Sequence, residues 1–201
     1  MALQDEIAKK SSEIYREAYQ MSIGELINLY RDEELDIHPE FQRVFRWSDY
    51  QKTKLIESIM LNIPIPQIFV SQREDGTWDV IDGVQRLSTI FQFVGILKDE
   101  DGKDISPLVL EATDDLPSFA GMKWQGNGEL SFTKEQQLTL KRSRLDVIII
   151  KKESDSNTKY ELFQRLNTGG SLLSDQEVRN CLMIMTNKSF YEFVMRLDSE
   201  E

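Results

Sequence analysis

The chain has one cysteine and one histidine among its 201 residues. With Cys181 alone, no internal disulfide can form, and that usage fits a reducing, cytoplasmic setting. Cys181 stands beside Leu182 in helical apolar spacing, which reads as a buried structural thiol rather than a nucleophile. With His38 as the lone imidazole, neither a histidine zinc site nor a two-histidine nuclease centre can be assembled from this chain. Long apolar runs are missing too: no stretch approaches the roughly 18 residues of a membrane-spanning helix. The opening Met1-Ala2-Leu3-Gln4-Asp5-Glu6 lacks the basic start and apolar core of a secretory signal. Positive charge is also short, with 24 Lys and Arg against 35 Asp and Glu for a net charge of −11. Affinity for DNA rests largely on cations meeting phosphates, so general nucleic-acid binding is disfavoured, although a local basic groove is not excluded.

What is present is ordinary for a globular protein: 40% hydrophobic and 29% charged residues, in a chain long enough to bury a core. Residues 1–20 read as a helical extension, with apolar positions at Ile7, Ile14, Tyr15 and Ala18 placing a helix over 4–20. Residues 21–201 read as one domain. Four capping boxes mark helix starts: Ser22 with Glu25, Ser48 with Gln51, Thr133 with Gln136, and Ser174 with Glu177. Strands are expected at 35–38, 67–71, 78–82 and 145–151, with Asp75-Gly76 turning one hairpin. Residues 98–132, rich in Asp, Gly, Pro and Ser, read as an irregular excursion pinned by Trp124 and Phe132. The expected architecture is α+β: a small mixed sheet flanked by helices, with a helical C-terminal portion. The chain ends in Asp198-Ser199-Glu200-Glu201 directly after an apolar helix, which suggests the N-terminal part of a longer protein.

The organising stretch is Trp78 to Ile90. Val80 and Ile81 favour extended structure, Asp82-Gly83 turns the backbone, and Leu87, Ile90, Phe91, Val94 and Leu97 take up helical spacing. The first backbone N–H groups of that helix carry partial positive charge and suit an anion such as phosphate. Arg86 adds a forked donor, and Asp82 could hold a metal ion or a sugar hydroxyl. The competing reading is a plain strand–turn–helix joint with Arg86 in a surface ion pair. Two further sites attract notice. Arg43 and Arg46 lie among Phe41, Phe45 and Trp47, a composition suited to phosphate or bases, or else to aromatic core anchors with solvated arginines. Arg165 and Asn167 sit at a helix end before Gly169-Gly170. Glu57, on the helix after Ser48, is expected to be a solvated carboxylate. Glu177 reads first as a helix cap, and Arg179 as either an ion-pair partner or a ligand group.

Three pieces, Phe41-Gln42-Arg43 with Trp47, Leu55-Ile56-Glu57-Ser58-Ile59 with Pro64-Ile65-Pro66, and Ile81-Asp82-Gly83-Val84-Gln85-Arg86-Leu87-Ser88-Thr89, resemble the N-terminal domain of GmrSD-type restriction proteins. Phe163 to Gly170 and Leu173 to Asn180 resemble the second block of that family. The resemblance implies a ParB/sulfiredoxin-like fold whose strand–turn–helix element holds nucleotide phosphates. It implies a cytoplasmic prokaryotic defence protein that binds and hydrolyses a nucleoside triphosphate, with GTP, ATP and CTP undistinguished; Mg²⁺ is a plausible ion for such chemistry, although no clean ligand set stands out in the sequence. By the same resemblance, Asp82, Gln85 and Arg86 would be catalytic, and Arg43, Arg46, Gly83, Arg86, Ser88, Thr89, Arg165 and Asn167 would bind the nucleotide or its phosphates. Asp82, Gly83, Gln85 and Arg86 match an Asp-Gly-Gln-Gln-Arg motif, and Val84 departs from it, which puts hydrolysis in question but not binding. DNA would be reached through an HNH-type nuclease in a C-terminal or partner domain. No membrane partner is implied, and a homo-oligomer is open. Two other function classes stay in view: a DNA-sensing module without turnover, and an interaction scaffold built on residues 4–20 and the last helix.

Overall fold

The computed structural model describes residues 3–11, 15–37, 47–99, 101–126, 128, 130–152 and 154. Arg43, Arg46, Arg165, Asn167, Glu177, Arg179, Cys181 and the capping box at Ser174 lie outside the described residues. The chain divides into two units, residues 17–149 and residues 1–16 with 150–201.

Five helices and five strands are described: α1 (Leu3–Ser11), β1 (Arg16–Ser22), α2 (Ile23–Arg31), β2 (Leu35–Asp36), α3 (Asp49–Met60), β3 (Ile68–Gln72), β4 (Trp78–Asp82), α4 (Val84–Val94), α5 (Lys134–Arg142) and β5 (Arg144–Ile150). A 3₁₀ turn, Pro117–Phe119, punctuates the excursion before α5. The strands form one mixed sheet in the order β1-β5-β3-β4-β2. β3 and β4 are antiparallel, whereas β2 runs parallel to β4 with Leu35 opposite Trp78. The α+β expectation therefore holds.

The hairpin closes where Asp75-Gly76 directs it. Gly76 has φ +94°, and the Arg73 N–H donates to the Thr77 carbonyl at 2.8 Å. The Thr77 N–H donates to the Asp75 carboxylate, which holds that carboxyl below its ordinary range. Arg73 then ties the edge strand down. Its Nε donates to Asp79 Oδ2 and its Nη2 to Asp36 Oδ2, both at 2.8 Å. Asp79 is only 3% exposed, so this charge is buried but paired.

The core lies between the helices and the sheet. Ile23, Leu26 and Ile27 of α2, Leu55, Ile56 and Ile59 of α3, and Leu87, Ile90, Phe91 and Phe93 of α4 are all buried within it. Trp124 and Phe132 stand edge-on to Phe93, with centroids 5.7 and 5.0 Å away, and so anchor the excursion as expected. Three capping residues are seen in place: Ser22, Ser48 and Thr133 each accept a hydrogen bond from the N–H three residues on.

Two expectations are overturned. Of the described residues in the helix placed over 4–20, only those within α1 (Leu3–Ser11) are helical, and Arg16–Ser22 is an edge strand. Ile7 lies in α1 and Ala18 in β1, so the apparent helical period runs across two different elements. Pairing with β5 decides the conformation there, and Gln20 Nε2 donates to Asp146 Oδ1 at 3.1 Å to reinforce it. Glu57 is not solvated: it is fully buried on α3.

In the unit formed by 1–16 and 150–201, the Lys151 N–H donates to the Tyr15 carbonyl at 2.9 Å and the Tyr15 N–H donates to Ser154 Oγ at 3.0 Å.

Candidate functional site

β4 delivers Asp82 to the end of the sheet, and Gly83 reverses the chain into α4. Gly83 has φ +103° in the left-handed region, where L side chains are strained. A Cβ there would also collide with Ile68 Cδ1 and lie 3.2 Å from Arg86 Nη2. Only glycine fits, and its lack of a side chain leaves α4 without a side-chain cap. The first intrahelical bond runs from the Leu87 N–H to the Gly83 carbonyl at 2.9 Å. The N–H groups of Val84, Gln85 and Arg86 therefore precede the ladder and present the positive end of the helix dipole.

Arg86 folds back over the turn. Its Nη2 donates to Asp82 Oδ2 at 2.5 Å and to the Gln67 carbonyl at 3.3 Å. The side chain is 13% exposed, against 35% for Asp82. Its Nε–H is buried without an acceptor, and so is Ser88 Oγ. Buried donors are normally satisfied, and an orphan costs about 1–3 kcal/mol. Both readings of Arg86 thus meet in one place: it is in an ion pair, and it stands beside uncommitted backbone donors with donor capacity unused.

The remaining expected residues are placed as follows. Gln85 Oε1 accepts from the Trp47 N–H at 3.3 Å, which turns its carboxamide toward the start of α3. Thr89 is 2% exposed and donates its hydroxyl to the Gln85 carbonyl at 2.7 Å, a bond within the helix. Val84, at the first position of α4, packs against the core. Asp82, Gly83, Gln85, Arg86 and Ser88 are therefore gathered at one turn, with Thr89 behind them. Among the described residues, no three Asp, Glu, His or Cys side chains cluster as a metal site.

Sequence reasoning missed two features. The Gln67 carbonyl, just before β3, is a partner of Arg86, and no side-chain pattern marks such a backbone acceptor. The other is Glu57, whose side chain pairs with Lys54 and accepts from Thr113 Oγ1. Burial pushes its carboxyl up, but the hydrogen bonds from Lys54 and Thr113 outweigh this and hold it below the ordinary range. Lys54 is correspondingly raised by its bond to Glu57. A separate cleft of about 580 Å³ beside β2, lined by Tyr30, Asp36, Arg73 and Lys98 among others, does not include the Gly83 turn.

The model of the GmrSD restriction endonuclease N-terminal domain matches residues 23–184. The chain belongs to that family. The match covers α2 through β5, so the Gly83 turn lies well inside the GmrSD N-terminal domain. No curated protein and no solved structure matches the chain. No helix among the described residues is long and apolar enough to cross a membrane.

Proposed function

We propose that this GmrSD N-terminal domain binds a nucleoside triphosphate at the β4–α4 turn, as the regulatory part of a restriction system acting on foreign or modified DNA. The observation that carries the reading is Arg86, largely buried beside a helix start that has no side-chain cap. Phosphate needs forked cations and backbone donors, and this turn supplies both. Asp82, at 35% exposure, is the carboxylate available to a Mg²⁺ ion carried in with the nucleotide. Gln85 is the group that would orient an attacking water, since phosphoryl transfer asks mainly for positioning and charge neutralisation. The cutting of DNA falls to a nuclease elsewhere, because one histidine cannot build an HNH-type centre.

The test is thermal unfolding with GTP, ATP or CTP plus Mg²⁺, for the wild type and Arg86→Ala. A ligand at a hundred times its Kd that binds only the folded state adds about 2.7 kcal/mol, a rise of a few degrees in midpoint. The expected result is such a rise with one nucleotide, absent in Arg86→Ala. Equal rises in both proteins, or none in either, would overturn the reading. Turnover is a separate question, and it centres on Val84. Restoring the family's glutamine as Val84→Gln is expected to raise the rate of phosphate release above that of the wild type.

A further inference from the structure

The Arg86 guanidinium already holds an anion, and that anion is part of the chain. Asp82 contributes one oxygen, Oδ2, to one nitrogen, Nη2, at 2.5 Å, so the pair is single-pointed. A side-on fork-to-fork pair would engage Nε as well. Here Nε is buried without an acceptor and lies 3.4 Å from the position a Cβ would take on Gly83. The guanidinium is folded over the glycine with its inner donor unused. Nothing else tightly restrains it: besides Asp82, its acceptor is the Gln67 carbonyl at 3.3 Å. Asp82 for its part is about one-third exposed and accepts from no other group described here.

We propose that Asp82 is a built-in competitor for Arg86, so that a phosphate ligand binds by exchange: it displaces the Asp82 carboxylate, and the guanidinium turns out to meet two phosphate oxygens. This inference rests on the phosphate reading of the turn. It adds a regulation that the reading does not contain. The unliganded domain is self-inhibited, and the carboxylate released on binding stands next to the incoming anion. Two like charges at that separation repel, and a divalent cation bridging them removes the repulsion. Phosphate binding and cation binding are therefore coupled through Asp82, each improving the other by the same factor.

Inorganic tripolyphosphate is the probe, titrated calorimetrically into the full chain with EDTA and then with Mg²⁺. The isosteric Asp82→Asn removes the competing charge while keeping the side chain's shape. The expected result is binding up to about fivefold tighter than wild type in EDTA, the range that losing one partly exposed ionic competitor supplies. Mg²⁺ also complexes the probe in solution, so its effect is read as a difference: going from EDTA to Mg²⁺ should favour the wild type over Asp82→Asn severalfold. Arg86→Ala separates the two levels of inference. Arg86-dependent binding in the wild type with no gain in Asp82→Asn would overturn the exchange while sparing the phosphate site. Binding that survives Arg86→Ala, or absence of binding in both wild type and Asp82→Asn, would overturn the phosphate site and the exchange together. Binding seen only in Asp82→Asn would support the exchange in its strongest form. Should Asp82→Asn fail to fold, the wild type still decides. The Arg86 Nε–H resonance, identified by its loss in Arg86→Ala, must shift as tripolyphosphate is added, and a resonance that stays in place while the ligand binds would overturn the exchange.

Discussion

Gly83 carries more of this site than any charged residue, because it sets where the charged residues go. Its φ of +103° lets β4 turn into α4 within one residue, and the absence of a Cβ leaves room for Arg86 to lie across the turn. Gly83→Ala should cost about 2–4 kcal/mol, combining left-handed strain with overpacking against Ile68. A urea titration would register this as a lower midpoint at an unchanged slope. If alanine were accepted within about 0.5 kcal/mol, the turn could not have the conformation described. The side chains here were legible as residue types but not as contacts. Asp82 and Arg86 stand four apart, a spacing that pairs on a helix, yet Asp82 is the last strand residue and the pair spans the turn instead. Ser88 and Thr89 are both buried on α4, yet only Thr89 finds a partner, the Gln85 carbonyl of its own helix, while Ser88 Oγ is unbonded.

At the scale of elements, α3 does two jobs, and only one could be read from its sequence. Its cap was plain: Ser48 and Gln51 form the full reciprocal box. Its apolar face, Leu55, Ile56 and Ile59, followed from helical spacing. What stayed hidden was a polar seam along the same helix that holds the irregular segment after Leu110. Thr53 Oγ1 accepts from the Glu111 N–H at 3.1 Å, and Thr113 Oγ1 accepts from the Leu116 N–H at 3.0 Å while donating to Glu57. Glu57 and Thr113 are 56 residues apart, so no window of sequence joins them. A carboxylate on a helix is solvated by default, and burial here is imposed by the excursion folding over it. β1 failed for the same reason, since its partner β5 lies more than a hundred residues downstream. Thr113→Val keeps the shape of the seam but strands Glu57 Oε1 and the Leu116 N–H. The expected loss is about 2–4 kcal/mol, with faster hydrogen exchange at Glu111 and Leu116 than at the α4 amides. Uniform acceleration across the chain would show instead that the seam has no local role.

The whole molecule is acidic, with a net charge of −11 and an isoelectric point near 4.7, yet it is proposed to bind an anion. The two are reconciled by locality. The Debye length is about 8–10 Å at ordinary salt, so the distant carboxylates are screened while Arg86 and the α4 N–H groups act at contact. The acid surplus matters more for stability against pH. Glu57 is held below the ordinary carboxylate range by Lys54 and Thr113, so its folded form is harder to protonate than its unfolded form. Its contribution is therefore complete above the unfolded value of about 4.3 and is lost as pH falls through the lower folded value. Asp75, bonded to the Thr77 N–H, shifts in the same direction and adds to the same slope. Lys54, raised by its bond to Glu57, gives the opposite dependence at the alkaline end: its contribution is complete below about 10.4 and fades as pH climbs through the higher folded value. Stability should thus be flat through neutrality and fall steeply below about pH 4. Glu57→Gln isolates the Glu57 part of that slope. It removes a fully buried charge but leaves Lys54, at 40% exposure, able to turn to solvent, so the expected cost at pH 7 is about 1–3 kcal/mol. Below pH 4 the difference between the two proteins should shrink, because the wild-type carboxylate is then itself being neutralised. Unfolding midpoints measured from pH 3 to 8 would check this. A wild-type minus Glu57→Gln difference that stayed constant over that range would mean that packing around Glu57, and not its charge, holds α3 to the excursion.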